Sequence, residues 1–308
     1  MIAFHSPDIS DRSWIHPILF SCDYPGADYT FNDMLLWSCY YGEVGRVGDF
    51  VTQHSVCGSC HTYLYPAGQG DIAGALRQII DDAHERGGTL RLRGLTQQTR
   101  AQLESLYPDR FTYTAYRDSY DYIYTVEELS QLHGKKLQAK RNHCNRFEAA
   151  NPDWYTAPMT SASVPQCQAM LRAWYTLHEP GCTAQELDQL QKEKGALALA
   201  FEHFEALGLD GLLLYDGEAL IAFSMGGRMN ERYYDVIFEK AFPNVNGAYA
   251  MINREFSRMI AAHYPQVDFL NREDDMGAEG PRRAKESYQP TLLLEKFVAQ
   301  WKETDPCV

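Results

Sequence analysis

No stretch of this 308-residue chain approaches the about eighteen consecutive apolar residues that a membrane helix requires. The first residues, MIAFHSPDISDRSW, lack the basic start and apolar centre of an export signal, so a cytoplasmic protein is expected. Positive charge is scarce: 28 Lys and Arg stand against 41 Asp and Glu, a formal net charge of −13. That balance excludes general coating of nucleic acid or membrane and leaves room only for a local basic site. The eight cysteines, 22, 39, 57, 60, 144, 167, 182 and 307, are expected as reduced, mostly buried thiols, since nothing points to an oxidising compartment. Cys57-Gly-Ser-Cys60-His61 matches a haem-attachment pattern, and His54 invites zinc. Haem attachment needs export, however, and the histidines stand too close in sequence to close a tetrahedron, so no metal is expected.

What is present is ordinary globular composition, with 45% hydrophobic and 22% charged residues, enough for two domains. Two segments have the same order: an aromatic strand, a Pro/Gly turn, an amphipathic helix, a short strand, a second helix and a closing strand. The first begins at HTYLYPAGQG and the second at RYYDVIFEKAFPNVNG; Gly68 precedes Tyr107 by 39 positions and Gly247 precedes Tyr288 by 41. An internal duplication is the economical explanation. The order implies mixed sheets flanked by helices, an α/β (α+β) class. It is also similar to the C-terminal order of the Gcn5-related N-acetyltransferases. Two tandem acyl-CoA N-acyltransferase-like domains are therefore expected, residues 1–125 and 126–308, the second opening with a basic helix over 134–150. Asp216-Gly217 marks a two-residue hairpin turn, and Thr183 with Glu186 a capping box.

The basic helix is a local exception to the acidic background. GKKLQAKRNHCNRF, residues 134–147, holds five Lys/Arg and no acid, where uniform scatter would give about one cation. At 100° per residue Lys135, Asn142 and Arg146 share one face, and Leu137, Cys144 and Phe147 the other. A cationic, amide-bearing face with a buried back suits phosphate contacts, for which Lys136 and Arg141 are further candidates.

In the acyltransferase fold the glycine turn before the central helix holds the pyrophosphate of coenzyme A on backbone N–H groups. Here Asn244-Val-Asn246-Gly247-Ala-Tyr249 lacks the usual cation or glutamine and carries a bulky tyrosine, while Pro66-Ala-Gly68-Gln-Gly70 keeps its glycines with nothing basic nearby. Asn246, Gly247 and Tyr249 remain candidates for donor binding. Between the strand VDFL and the helix GPRRAKESY lies NREDDMGAE, with Pro281 expected at the first helical position and Ala284 and Tyr288 facing the core. The helix start, Arg282, Arg283 and Lys285 form a candidate anion site, and Glu273 and Asp275 a candidate site for an amine or hydroxyl acceptor. Acyl transfer also needs a base. Glu239, at the end of RYYDVIFEK, and Asp274 are the candidate catalytic carboxylates.

Lys135, Lys136, Lys140, Arg141, Asn142, Asn145, Arg146 and Phe147, with Asn271, Arg272, Glu273, Asp274, Gly277, Gly280, Lys285, Tyr288 and Pro290, resemble an uncharacterised bacterial family related to the C-terminal domain of phosphatidylglycerol lysyltransferases. The resemblance covers nearly the whole chain. It implies a tandem acyltransferase that moves an aminoacyl group from aminoacyl-tRNA to a hydroxyl or amine, on a small molecule or a lipid headgroup, with the tRNA acceptor end as partner. Two other readings stay open: an acetyl-CoA-dependent N-acetyltransferase of a small amine, and a non-catalytic ligand-binding protein on the same scaffold.

Overall fold

A computed structural model describes residues 1–302; Cys307 lies outside the described residues. Two mixed sheets are each flanked by helices, as the sequence order implies. The strands are β1 (Phe4–His5), β2 (Glu43–Val47), β3 (Phe50–Cys57), β4 (Cys60–Leu64), β5 (Ala67–Gly68), β6 (Thr89–Leu95) and β7 (Phe111–Ala115), followed by β8 (Asp121–Thr125), β9 (Trp154–Pro158), β10 (Leu209–Asp216), β11 (Ala219–Arg228), β12 (Tyr233–Ala241), β13 (Phe269–Asn271), β14 (Leu292–Leu294) and β15 (Phe297–Trp301). The first sheet has the order β1-β2-β3-β4-β6-β15-β7 with β5 paired to β3; the second runs β14-β8-β13-β12-β11-β10-β9. Among the described residues no helix is long and apolar enough to cross a membrane.

Contacts divide the chain into two compact units, but not by a single cut near residue 125. One contains Met1–Asp121, Asp274–Ala278 and the chain from Leu293; the other contains Tyr122–Glu273 and Glu279–Leu292. The reason is strand exchange. The C-terminal β15 inserts between β6 and β7 of the first sheet, pairing with both antiparallel. Residues 121–125, placed by the sequence in the first domain, form β8 and pair with β13 of the second sheet through Tyr124↔Leu270.

Local rules hold within these elements. The helix Ile72–Arg86 starts on Asp71, whose carboxylate accepts from Gly74 N–H, and stops at left-handed Gly87. The capping box of Thr183 and Glu186 opens Ala184–Glu202 as expected. The β10–β11 turn consists of Gly217 and Glu218, with Gly217 at φ +55°, one residue later than the sequence suggests. β10 and β11 are buried along most of their length, so their near-continuous apolar runs have both faces covered.

The first unit carries a buried ionic network that the sequence does not announce. Lys296 Nζ lies 2.6 Å from Asp28 and 2.7 Å from Asp121, and Arg93 reaches the other oxygen of Asp28 at 2.6 Å. Burial alone would raise the pKa of Asp28, but Lys296 and Arg93 hold it below its ordinary value. The sign follows: this carboxylate stabilises the fold above about pH 4 and ceases to do so as pH falls through its lowered pKa. Lys296→Met leaves two buried carboxylates with one cation, and a loss of about 3–5 kcal/mol is expected by urea unfolding at pH 7. A loss below about 1 kcal/mol would show that the network contributes little.

Candidate functional site

The duplicated strand pairs differ where it matters for a ligand. In the first unit β4 and β6 pair in parallel over five residues, and Tyr65 N–H continues the ladder to Arg93 carbonyl at 2.9 Å. In the second unit β12 and β13 pair only from Tyr233↔Phe269 to Asp235↔Asn271. β12 then stays in the sheet beside β11 as far as Ala241↔Ala222, while the chain leaves β13 through Arg272 and left-handed Glu273, φ +53°. The two strands part, and among the described residues the edge of 236–241 that faces away from β11 pairs with no strand.

Charged side chains meet beside the parting. Glu239 on β12 accepts from Arg272 Nη2 at 3.0 Å on one carboxylate oxygen and from Asn253 Nδ2 at 3.0 Å on the other. Asn253 comes from the helix Ala248–His263, on the core-facing stripe that also carries Phe256 and Ile260. The Arg272 guanidinium lies 4.9 Å from the Tyr288 ring centre and 5.7 Å from that of Tyr124. Burial works against its charge, yet Glu239 keeps Arg272 more firmly protonated than usual. Tyr124 in turn donates to Lys285 carbonyl at 2.7 Å, which ties β8 to the end of the helix Glu279–Glu286. Two polar atoms of this cluster, Arg272 Nη1 and Asn253 Oδ1, are buried with no hydrogen-bond partner. A donor and an acceptor so placed, each costing about 1–3 kcal/mol if left unpaired, are what a ligand or an ordered water would satisfy.

Lys140, absent from the candidate set drawn from spacing and charge, belongs to the same cluster. Its Nζ stands 3.9 Å from the centre of the Tyr288 ring. Burial, and next the positive charge of Arg272, bring its pKa down to about 8, against an opposing pull from Glu239.

The basic helix spans Gln138–Ala150, so Lys135 and Lys136 stand in the turn before it. Leu137, Cys144 and Phe147 are buried, and Lys135, Asn142 and Arg146 are exposed, as the helical period requires. Lys136 pairs loosely with Glu128 at 3.8 Å, and Arg146 bonds within its own helix to Asn142 carbonyl at 3.2 Å. Arg141 donates to the carbonyls of Leu132 and Gly134, which makes it a cap for the preceding turn. The helix back packs onto the second glycine turn. Gly247 has φ +87°, and a Cβ there would stand 2.4 Å from His143 carbonyl and 3.0 Å from Phe147 Cβ. Asn246 and Tyr249 on either side are exposed.

The remaining candidates are spread more widely. The helix Glu279–Glu286 starts before Pro281, which is its third residue; Tyr288 is buried as expected, but Ala284 is exposed because the short helix presents that row to solvent. Arg283 forms an exposed pair with Glu279 at 3.2 Å, Lys285 Nζ lies 5.8 Å from the Tyr122 ring centre, and Arg282 is half-buried. The three acids after Arg272 are divided between the units: Glu273 belongs to the second, Asp274 and Asp275 to the first. Asp275 is buried against Arg117 at 3.3 Å, a structural occupation, and Asp274 contributes negative charge near Lys296 and Tyr41.

Cys57 and Cys60 face each other across the Gly58-Ser59 turn, on the sheet face opposite to His54 and His61, which follows from the register Val56↔His61. The four cannot ligate one ion. Cys57 is exposed, so it is not the packed thiol the strand pattern suggests. A groove of about 670 Å³ between the helices Val164–His178 and Ala184–Glu202, lined by Leu171, Tyr175, Lys194 and Phe201, contains none of the candidates.

Comparison with known proteins assigns the chain to a family. The family model described as phosphatidylglycerol lysyltransferase, C-terminal, matches residues 23–300. The chain belongs to this family. A Bacteroides thetaiotaomicron protein of unknown function is 36% identical over 98% of this chain and all of its own, with a TM-score of 0.91. The C-terminal domain of a putative lysylphosphatidylglycerol synthetase from Agrobacterium fabrum shares the fold at a TM-score of 0.67 and 11% identity, over 96% of this chain and 92% of that one. An uncharacterised protein of Mycoplasmoides gallisepticum is 23% identical over 190 residues, 60% of this chain, and the match spans 57% of that protein's length. Family and fold are those of acyltransferases of the lysyltransferase type.

In this lysyltransferase-family chain the parted strands make Arg272 indispensable to Glu239. Arg272→Ala leaves a buried carboxylate without its counter-charge and should cost about 3–5 kcal/mol in urea unfolding. Replacing both partners by Met should recover most of that loss. A single substitution costing below about 1 kcal/mol would mean that water already compensates Glu239.

Proposed function

We propose that the second unit transfers an aminoacyl group from aminoacyl-tRNA to a hydroxyl or amine, on a small molecule or a lipid headgroup, at the parting of β12 and β13. The observation that carries this reading is the polar cluster in that parting, with Arg272 Nη1 and Asn253 Oδ1 buried and unpartnered beside Glu239. An ester carbonyl accepts from a guanidinium N–H, and an α-ammonium donates to an amide or carboxylate oxygen. The exposed face of Lys135, Asn142 and Arg146, with Lys136, takes the phosphates of the acceptor end, as cations and amides do in sequence-independent contacts. Glu239 fixes Arg272 and Asn253 in place. Arg282, Arg283 and Lys285 extend the positive field, and Glu273 is the carboxylate of this unit assigned to the acceptor.

Coenzyme A is the less favoured donor for a geometric reason. The turn that would hold its pyrophosphate packs against His143 carbonyl and Phe147, and a carbonyl oxygen repels a phosphate. Thermal unfolding with each donor separates the readings. Charged tRNA should raise the midpoint and acetyl-CoA should not. Lys135→Glu with Arg146→Glu should lower tRNA affinity and flatten its dependence on salt, by about one unit in the log–log slope per lost phosphate contact. Stabilisation by acetyl-CoA alone would establish the acetyltransferase reading, and by neither donor the binding-protein reading.

A further inference from the structure

Both oxygens of Glu239 are already engaged, one by a guanidinium and one by an amide. The transfer nonetheless releases a proton from the attacking group, and an acceptor for it is needed within reach. Lys140 is the remaining titratable amine of the cluster. It projects from the basic helix onto the ring of Tyr288, which Arg272 approaches as well. Among the described residues its amine makes no ion pair, and what favours its cation is the Tyr288 ring face and the charge of Glu239, against burial and Arg272.

We propose that Lys140 is the proton acceptor of the transfer step, its amine receiving the proton of the attacking hydroxyl or amine. This rests on the transfer reading given above. The acceptor's lone pair forms the new bond to the acyl carbon while its proton passes to Nζ. The ester C–O bond then breaks, and the departing ribose oxygen takes a proton from the lysine ammonium, which restores the neutral amine. No other reactant is required.

The charged and titratable groups around Nζ explain why a lysine can do this here. Arg272, at the end of β13, disfavours a second positive charge; Glu239 on β12 favours it; Cys144, one turn along the same helix, is neutral because burial pushes its thiol up to about 11. Tyr288 and Tyr124 are neutral too, their hydroxyls raised by burial. With a pKa of about 8, about a quarter of Lys140 amines are neutral at pH 7.5. About one in a thousand would be neutral at the ordinary value near 10.4.

Two measurements test the proposal. In the first, lysines are reductively methylated with ¹³C-formaldehyde and titrated by NMR, with Lys140→Gln to assign the resonance. Lys140 is expected to titrate near pH 8; titration in the ordinary lysine range, near 10.4, would overturn the proposal. In the second, transfer from charged tRNA is followed against pH. The wild-type rate should rise to a plateau above about pH 8. Lys140→Gln and Lys140→Arg, each checked for an unchanged unfolding midpoint, should both lose about 100-fold or more in kcat with KM for charged tRNA little changed, and the rise with pH should vanish. An arginine variant at wild-type rate, or an unaltered pH profile, would overturn it. If acetyl-CoA proves to be the donor, the transfer reading fails in its donor, and a normal NMR titration or pH profile would still separately sink Lys140.

Discussion

Two opposite charges held 3.0 Å apart beneath the surface, Glu239 and Arg272, determine what the second unit can be. Glu239 projects from the face of β12 covered by the helix Ala248–His263, and Arg272 follows directly on β13, which ends after three paired residues while β12 continues. Burying an ion pair is costly, and the attraction offsets that cost only with good geometry and further hydrogen bonds. Here Asn253 supplies one such bond and the rings of Tyr124 and Tyr288 enclose the guanidinium. The cluster is thus a fixed field, set before any ligand arrives, which is the property acyl transfer exploits.

The duplicated halves have taken different courses from the same order of elements. In the first, the corresponding strands remain zipped through Tyr65 and Arg93, and the buried charges, Lys296 with Asp28 and Asp121, lock the returning C-terminal strand into a sheet. In the second, the strands part, and Glu239 and Arg272 form a largely buried pair where they do. The two halves therefore differ in the extent of one parallel ladder more than in the presence of glycine turns. Gly247 illustrates this: its left-handed turn persists, but the space it frees is filled by the basic helix, through His143 and Phe147.

Much of the architecture is legible in the residues because local signals agree. Glycine after the aromatic strand, the Thr183–Glu186 box and the split of Leu137, Cys144 and Phe147 from Lys135, Asn142 and Arg146 each correspond to a short-range rule. Strand exchange is not legible, since β8 and β15 look like any closing strands and their partners are set by packing remote in sequence. Arg272 and Lys140 stand out by resemblance, yet only geometry shows that they share the Tyr288 ring. Asn253 had a readable signal, a polar residue on the stripe of Phe256 and Ile260, where burial demands a partner. Charge counting does not reveal that Asp275 is buried beside Arg117 inside the first unit.

Hydrogen–deuterium exchange with and without charged tRNA addresses the central claim most directly. If the parting of β12 and β13 receives the acyl end while the basic helix grips phosphate, protection should rise together in residues 135–147, 236–241 and 271–273. Protection confined to the first unit, or to the groove between Val164–His178 and Ala184–Glu202, would contradict the account.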